Sequence, residues 1–383
     1  MSDRMRRRMG WALALSTPLT ACADYQLESE TVVVDGGPGA LRDAAGAVDT
    51  QPSDGGGAGP SEGGGAGQGT VAELVKKLNE ARDVYANGGA VYWSRDNTIE
   101  LCPLPCNTSW AIWSAPGVVP ANRRFSFVPP PNNQAAYTVF FGASAGSGPY
   151  MAKHTLLTST PLNVGPAPLA IAADQYNAYF SSGSAIHMMY VSATSSAKLL
   201  DIAVPAEGLA LTPNALFWHS TAATGAGGTG GIYGCSRATC TSATEVVSPQ
   251  AARAVGALHA TTTEFYFADN HGVATALGGA SLFSCPATAT TCTPSLIVSG
   301  EAAVGSIAVN NGYIYWSNGG ATSSATGMIR GCKLGACVPT TLAANLPRPV
   351  AISASAPNDL YVAAYGLAAG TYSGGIYRIP KLK

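Results

Sequence analysis

The chain has 383 residues, of which 46% are apolar and only 11% charged, with a formal net charge of −1 and 45 glycines. No basic stripe of the kind that tracks a phosphate backbone runs through it, so nucleic acid is not an expected partner. After the first residues there is no apolar run near the twenty or so that a membrane-crossing helix needs.

The first element is MSDRMRRRMG, four arginines ahead of the short apolar run WALALSTPLTA. A charged start followed by an apolar stretch too short to span a bilayer is the layout of a secretory signal. The arginine cluster is also a weak hint of twin-arginine export. The run ends in Leu19-Thr20-Ala21-Cys22, which resembles the lipobox of bacterial lipoproteins, where the cysteine is lipidated and becomes the new N-terminus. Ala21-Cys22-Ala23 also fits ordinary cleavage of a secreted protein. Residues 1–22 are therefore expected to be a signal peptide, with Cys22 as the lipidation site. Residues 23–69 hold eight acids, one arginine and many glycines. They cannot bury enough apolar surface to offset chain entropy and are expected to form a disordered linker. A flexible chain of that length reaches about 35–40 Å on average, enough to hold a domain clear of a lipid surface.

Residues 70–383 carry 16 Lys/Arg and 13 Asp/Glu, a net of +3. Their Ala, Gly, Ser, Thr and aromatic content, with little long helical periodicity, predicts an all-β domain rich in turns. The domain opens with VAELVKKL, in which Val71, Leu74, Val75 and Leu78 have helical spacing. Yet VAELVKKLNEARDVYANGGAVYW lines up with TTLAANLPRPVAISASAPNDLYV, and that alignment makes it an outer strand.

The alignment is part of a wider repeat. Aromatic strands recur near Tyr92, Phe140, Tyr179, Phe217, Tyr266, Tyr315 and Tyr361, seven copies over 314 residues. A period of about 45 residues with four strands per unit is the signature of a β-propeller. A seven-bladed propeller is expected, with six or eight blades also compatible. The ring would be closed by the N-terminal strand, because the last copy ends after three strands. Small residues in LAIAAD, GLALTP, SIAVNN and VAISAS suit the innermost strands, where blades crowd the axis. Eight cysteines fall in pairs, Cys102/Cys106, Cys235/Cys240, Cys285/Cys292 and Cys332/Cys337, each after the third strand of one copy. A hairpin brings such neighbours to disulfide distance, and export would place them in an oxidising compartment. Zinc would require two pairs to converge, whereas pairs in different blades lie apart.

The VYWSR and IYWSN strands, with PRPVAIS-type segments before such strands, resemble YWTD/NHL-type β-propeller repeats. More closely, the chain resembles Gly- and Cys-containing propeller lipoproteins of Gram-negative bacteria. In place of the Thr-Asp that ends the YWTD motif the chain has Ser94-Arg95, Ser317-Asn318 and Ala268-Asp269. The resemblance implies a fold that serves mostly in binding and occasionally in lyases.

Long second-to-third-strand connections begin near Ser220, Asn270, Asn318 and Tyr365 and mark one face as the working one. The candidate binding residues on it are Arg95, Asp96, His219, Asp269, Asn270, His271, Asn318 and Tyr365. Turn-forming and solvated roles fit the same residue types. Gly142–Gly146 matches the G-x-S-x-G nucleophile pattern around Ser144, but the strand-turn-helix context that motif needs is not written around it. A Gly-x-Gly-x-x-Gly run from Gly225 lies in a loop without a βαβ unit, and Asn107-Thr-Ser is a glycosylation pattern with little meaning in a bacterial protein. His154, His187, His219, His259 and His271 show no ligand spacing, although His219, His271 and Asp269 could converge at the channel mouth.

The expected function is therefore an exported, lipid-anchored, monomeric binding module for a protein, peptide or glycan of the cell envelope. No cofactor, metal or catalytic residue is expected, and membrane contact is through the lipid only. A propeller enzyme, a lyase or hydrolase using His219 or His271, and a structural part of an envelope complex are the alternatives.

Overall fold

The computed structural model describes residues 31–32, 71–78, 81–86, 89–95, 98–114, 125–128, 138–145, 148–155, 158–162, 168–193, 195–203, 205–220, 230–248, 255–270, 279–288, 290–319, 326–366 and 374–383. Two strands come first, β1 (Thr31–Val32) and β2 (Val71–Leu78). Six four-stranded sheets follow. They are β3–β6 (Asp83–Ala86, Ala90–Arg95, Thr98–Pro103, Trp110–Ser114), β7–β10 (Phe125–Val128, Thr138–Ala145, Gly148–Thr155, Thr158–Leu162) and β11–β14 (Pro168–Ala173, Asn177–Ser182, Ala185–Tyr190, Ala197–Asp201). Next come β15–β18 (Gly208–Leu211, Ala215–His219, Ile232–Ser236, Thr244–Val247), β19–β22 (Val255–Ala260, Glu264–Asp269, Ala280–Pro286, Ser295–Glu301) and β23–β26 (Val304–Asn310, Tyr313–Asn318, Gly327–Lys333, Thr340–Leu346). The chain ends with β27 (Pro349–Ser353), β28 (Asp359–Ala364) and β29 (Gly374–Pro380).

This is an all-β propeller, with each four-stranded sheet an up-and-down antiparallel blade. The expected count of seven like blades is corrected to six. The last repeat copy contributes three strands, β27 to β29, and not the four of the other sheets. It lies instead in a composite five-stranded sheet ordered β1-β2-β29-β28-β27. Within it, β2 pairs antiparallel with β29, from Ala72 opposite Arg378 to Leu78 opposite Gly374. The stretch 71–78 is extended, not helical. Its register against β29 shifts between Val75 and Leu78, so two residues three apart can face one side, and both pack into the same core cluster. Val71 packs into the cluster on the other side of the sheet. Thr31 and Val32 pair with Ala72 and Val71, placing a short strand inside the stretch expected to be an open linker. Cys22, the signal segment and the rest of residues 23–69 lie outside the described residues.

The first strand of each copy is innermost: β7, β11, β15, β19, β23, β27 and β3 adjoin one another in succession. Each sheet therefore turns two faces to its neighbours, and the second strands β4, β12, β16, β20, β24 and β28 are buried on both. Tyr92-Trp93, Tyr179-Phe180, Phe217-Trp218, Tyr266-Phe267 and Tyr315-Trp316 are all buried. One ring of each pair points to each neighbouring blade, as the side-chain alternation of a strand dictates. Two glycines of the third strands exist for these rings. A Cβ on Gly234 would lie 2.9 Å from Phe217 Cδ1, and one on Gly331 would lie 2.7 Å from Tyr315 Cδ1. Each glycine is the cross-strand partner of that aromatic residue, so the ring lies flat over the backbone.

Serine hydroxyls carry part of the polar linkage between blades. Ser181 Oγ accepts from Ala170 N–H and donates to Ala206 carbonyl of the next blade, at 3.0 and 2.7 Å. Ser353 Oγ accepts from Ala86 N–H at 3.0 Å, and Ser355 Oγ donates to the Ala86 carbonyl. Serine hydroxyls thus bridge innermost strands where small residues let the blades approach.

Candidate functional site

In an up-and-down sheet, the connections between second and third strands lie at the same end as the passages between blades. In β3–β6, β7–β10 and β11–β14 the former are tight, joining Arg95 to Thr98, Ala145 to Gly148 and Ser182 to Ala185. In the four sheets that follow they are long: His219 to Ile232, Asp269 to Ala280, Asn318 to Gly327 and Ala364 to Gly374. These four sheets are consecutive, so the strand ends that these connections join are neighbours around the ring. The opposite end carries the four cystines, Cys102–Cys106, Cys235–Cys240, Cys285–Cys292 and Cys332–Cys337, with Cα–Cα distances of 5.1, 5.1, 6.0 and 5.0 Å.

The described residues expected on the long-connection face end a strand or directly follow one, and several turn inward. Asn318 is 1% exposed and donates from Nδ2 to Glu301 Oε2 at 2.8 Å. Glu301, itself 3% exposed, ends β22 and reaches into the next blade. There it also accepts from Trp316 Nε1 at 2.9 Å and from Arg330 at 2.6 Å. Asn270 clamps the next blade differently. Its Nδ2 donates to the Val304 carbonyl at 3.0 Å and its Oδ1 accepts from Val304 N–H at 2.9 Å, replacing one rung of a backbone ladder. Gly256 is required beneath it, since a Cβ there would fall 1.9 Å from Asn270 Nδ2. Arg95 grips Glu100 from Nε at 2.6 Å within its own blade. His219 is 5% exposed and lies on Gly208, its cross-strand partner, where a Cβ would sit 2.3 Å from Nε2. Asp269 is partly exposed at the end of β20. Asp96 and His271 lie outside the described residues. Arg95, Asn270 and Asn318 are thus each engaged by other residues of the chain, Glu100, Val304 and Glu301.

Tyr365 is the candidate with company that the sequence reading missed. Arg82 and Arg348 each place a guanidinium 4.8 Å from its ring centroid. The two arginines sit just ahead of the first strands β3 and β27. The signal available was an arginine before the first strand in both EARDVYA and LPRPVAIS. Glu301 and Arg330, also missed, carry no local pattern.

Three further features concern chemistry. Among the described residues no three His, Cys, Asp or Glu side chains form a group that could hold a metal ion. Ser144 lies within strand β8, opposite Pro149 of β9, and not at the strand-turn-helix elbow that the nucleophile motif needs. The Gly225 run is outside the described residues. His259, on innermost strand β19, is partly exposed by area, yet its surroundings desolvate the imidazole enough to lower its pKa to about 4. At the cystine end, Arg237 ties two blades together through Asp174, the Tyr179 hydroxyl at 3.1 Å and the Thr212 carbonyl at 2.9 Å. Lys381 does the same from the C-terminal tail, donating to Asn310 Oδ1 at 3.0 Å and the Ala354 carbonyl at 2.6 Å.

No protein-family model and no curated protein sequence matches the chain. Solved structures do. A chain of hydrazine synthase from Kuenenia stuttgartiensis superposes with a TM-score of 0.55 at 8% identity, over 78% of this chain and 95% of that one. The WD40 β-propeller domain of Doa1 gives 0.51 at 11% identity, over 81% and 95%. A chain of the mitotic checkpoint complex gives 0.55 at 11% identity, over 85% and 99%. At such identities the likeness concerns architecture, and what this chain shares with them is the β-propeller fold.

Proposed function

We propose that the chain is an exported β-propeller, lipid-anchored at Cys22, that binds a protein, peptide or glycan of the cell envelope through its long-connection face without catalysing a reaction. The asymmetry of the two ends carries this reading. One end is stapled by four cystines, while at the other the strand ends joined by four long connections are neighbours around the ring. Rigid hairpins on one face and variable-length connections on the other are what a scaffold presenting a binding surface requires. The cystines also support an oxidising, extracytoplasmic compartment. Propellers with WD40-like structures commonly serve as interaction modules, which supports the same reading by analogy of fold.

The finer features belong to the same proposal. Residues 1–22 are the signal peptide, 23–69 the linker and 70–383 the propeller. The β2–β29 pairing seals the ring without a covalent bond, and the repeats are of YWTD/NHL type, as VYWSR and IYWSN suggest. The protein acts as a monomer. A propeller enzyme built on His219 has less support, because that imidazole is packed on Gly208.

The test is to purify the exported protein without reductant and to identify what it captures from envelope extracts. Capture should be lost when the connections at 220–231 and 318–327 are cut back. Unchanged capture by the shortened protein refutes the choice of face.

A further inference from the structure

The composite sheet differs from the other six in two ways that bear on each other. The first is how its outermost repeat strand is held. That place is taken by β2, which arrives from the other end of the domain and not through a hairpin with the third strand. In four of the other sheets the corresponding hairpin is stapled by a cystine, whereas no cysteine occurs in residues 71–78 or 349–383. The ladder between β2 and β29 is also interrupted twice, between Glu73 and Val75 and between Val75 and Leu78. A closing strand held in this way is the part of the ring that local opening releases most easily.

The second difference is a fifth strand. Among the described residues the other six sheets end at their fourth strands, β6, β10, β14, β18, β22 and β26. On the composite sheet β1 lies outside β2, antiparallel to it, with Thr31 opposite Ala72 and Val32 opposite Val71. It opens Thr31-Val32-Val33-Val34, the one run of four β-branched residues between Cys22 and Val71. Such residues suit a pleated edge, and Asp35-Gly36-Gly37 directly after them is a turn signal that ends the strand. Pairing with β1 gives β2 a neighbour on both sides and covers a backbone edge that could otherwise recruit another chain. Residues 33–70 join the two strands, and the entropic cost of closing a loop rises only slowly with its length.

We propose that residues 31–34 are a latch that locks the closing strand β2 into the ring and fixes the rim of the composite sheet as the place where the membrane tether ends. The latch stands on the strand pairing alone, while the tether rests on the lipidation of Cys22 proposed above. With β1 docked, the free tether is residues 23–30 and not the whole of 23–69. Those eight residues span at most about 30 Å when fully extended. Residues 33–70 return to the same sheet edge and add nothing to the reach. The propeller is therefore drawn to the lipid by its rim and not by either end of its axis.

The test uses the full chain with a cysteine pair added across the observed register. Thr31→Cys with Ala72→Cys should form an intramolecular 31–72 disulfide, seen in a non-reducing peptide map beside the four native cystines, because paired residues of adjacent strands lie within disulfide reach. Thr31→Cys with Lys76→Cys, which is off register, should link about tenfold less. Replacing residues 31–34 by Gly-Ser-Gly-Ser should speed hydrogen exchange of 71–74 by about tenfold or more and leave the cystine hairpins unchanged. Equal linking at 72 and 76 overturns the latch, as does unchanged exchange in the Gly-Ser variant. A 31–72 bond joining two chains also overturns it and assigns the edge to a second copy. For the tether, lipidated protein carrying a donor dye after Lys383 is placed on vesicles with acceptor lipids. Energy transfer should fall when 31–34 are replaced, and equal transfer overturns the short tether. If the wild-type protein does not join the vesicles, the anchor at Cys22 falls, while the disulfide map and the exchange rates still decide the latch.

Discussion

At the scale of single residues, the blade interfaces are held by buried polar groups that the hydrophobic pattern does not announce. Glu301 takes three donors from the neighbouring blade and is almost wholly shielded from water. Replacing it with Gln leaves the Arg330 charge without its counterpart. Glu301→Gln should therefore lower unfolding stability by about 2–4 kcal/mol, seen as a lower guanidinium midpoint at constant slope. A variant with the wild-type midpoint would mean that the network contributes nothing. His259 supplies a second residue-scale effect. Its folded pKa is about 4, below the ordinary value of 6.5, because burial disfavours the imidazolium. The unfolded chain then binds the proton first as pH falls. Stability is fully present above pH 6.5 and is lost progressively between about 6.5 and 4. His187 is shifted in the same direction, by burial and then by Lys198, and adds to the loss. For His259 the loss is about 1–3 kcal/mol, allowing for its partial solvent contact. His259→Gln should flatten the decline between pH 6.5 and 4.5, and an equal decline in the variant would contradict the assignment.

At the scale of the strand and hairpin, much was legible. The aromatic pairs of the second strands and the glycines opposite Phe217 and Tyr315 are written as local patterns. So are the cysteine spacings, because a hairpin places neighbours in sequence next to each other in space. Each cystine closes a loop of a few residues, so removing Cys332–Cys337 by a double serine substitution should cost about 2 kcal/mol in unfolding stability. Non-reducing denaturation of the double variant measures this, and no change in midpoint would show that the hairpin holds itself. Gly331→Val should cost about 1–3 kcal/mol through a clash with the Tyr315 ring and the Ile314 carbonyl, checked by the same titration. What was not legible was where strand-end side chains point. Asn270 and Asn318 look alike at the start of a loop. One clamps the Val304 backbone and the other is buried under Glu301, because each answers to a neighbouring blade, Val304 lying 34 residues after Asn270 and Glu301 17 residues before Asn318. Arg82 and Arg348 meet only because the two chain ends share a junction, which no local spacing records.

At the scale of the whole molecule, the period gave the propeller but overcounted its regular blades. Seven aromatic strands are present, yet the seventh belongs to a sheet assembled from both ends of the domain. The helical spacing of Val71, Leu74, Val75 and Leu78 is carried by a strand with register shifts, which single-segment periodicity cannot distinguish from a helix. If β2 seals the ring, Val75→Asp should loosen it by placing a charge in the cluster between the composite sheet and β3–β6. The edge of β29 would then be exposed, giving concentration-dependent association in light scattering beside a clear loss of stability. A monomeric variant of wild-type stability would show that the ring does not depend on this strand.

The central claim is that ligands meet the propeller at the end bearing the long connections. Hydrogen exchange of the purified protein, alone and with the partner it captures, tests it most directly. Protection should concentrate at 218–232, 268–280, 316–328 and 364–375, with the cystine hairpins unchanged. Protection confined to the hairpins at 102–110, 235–243, 285–294 and 332–340 would place the binding surface on the opposite end and contradict the account.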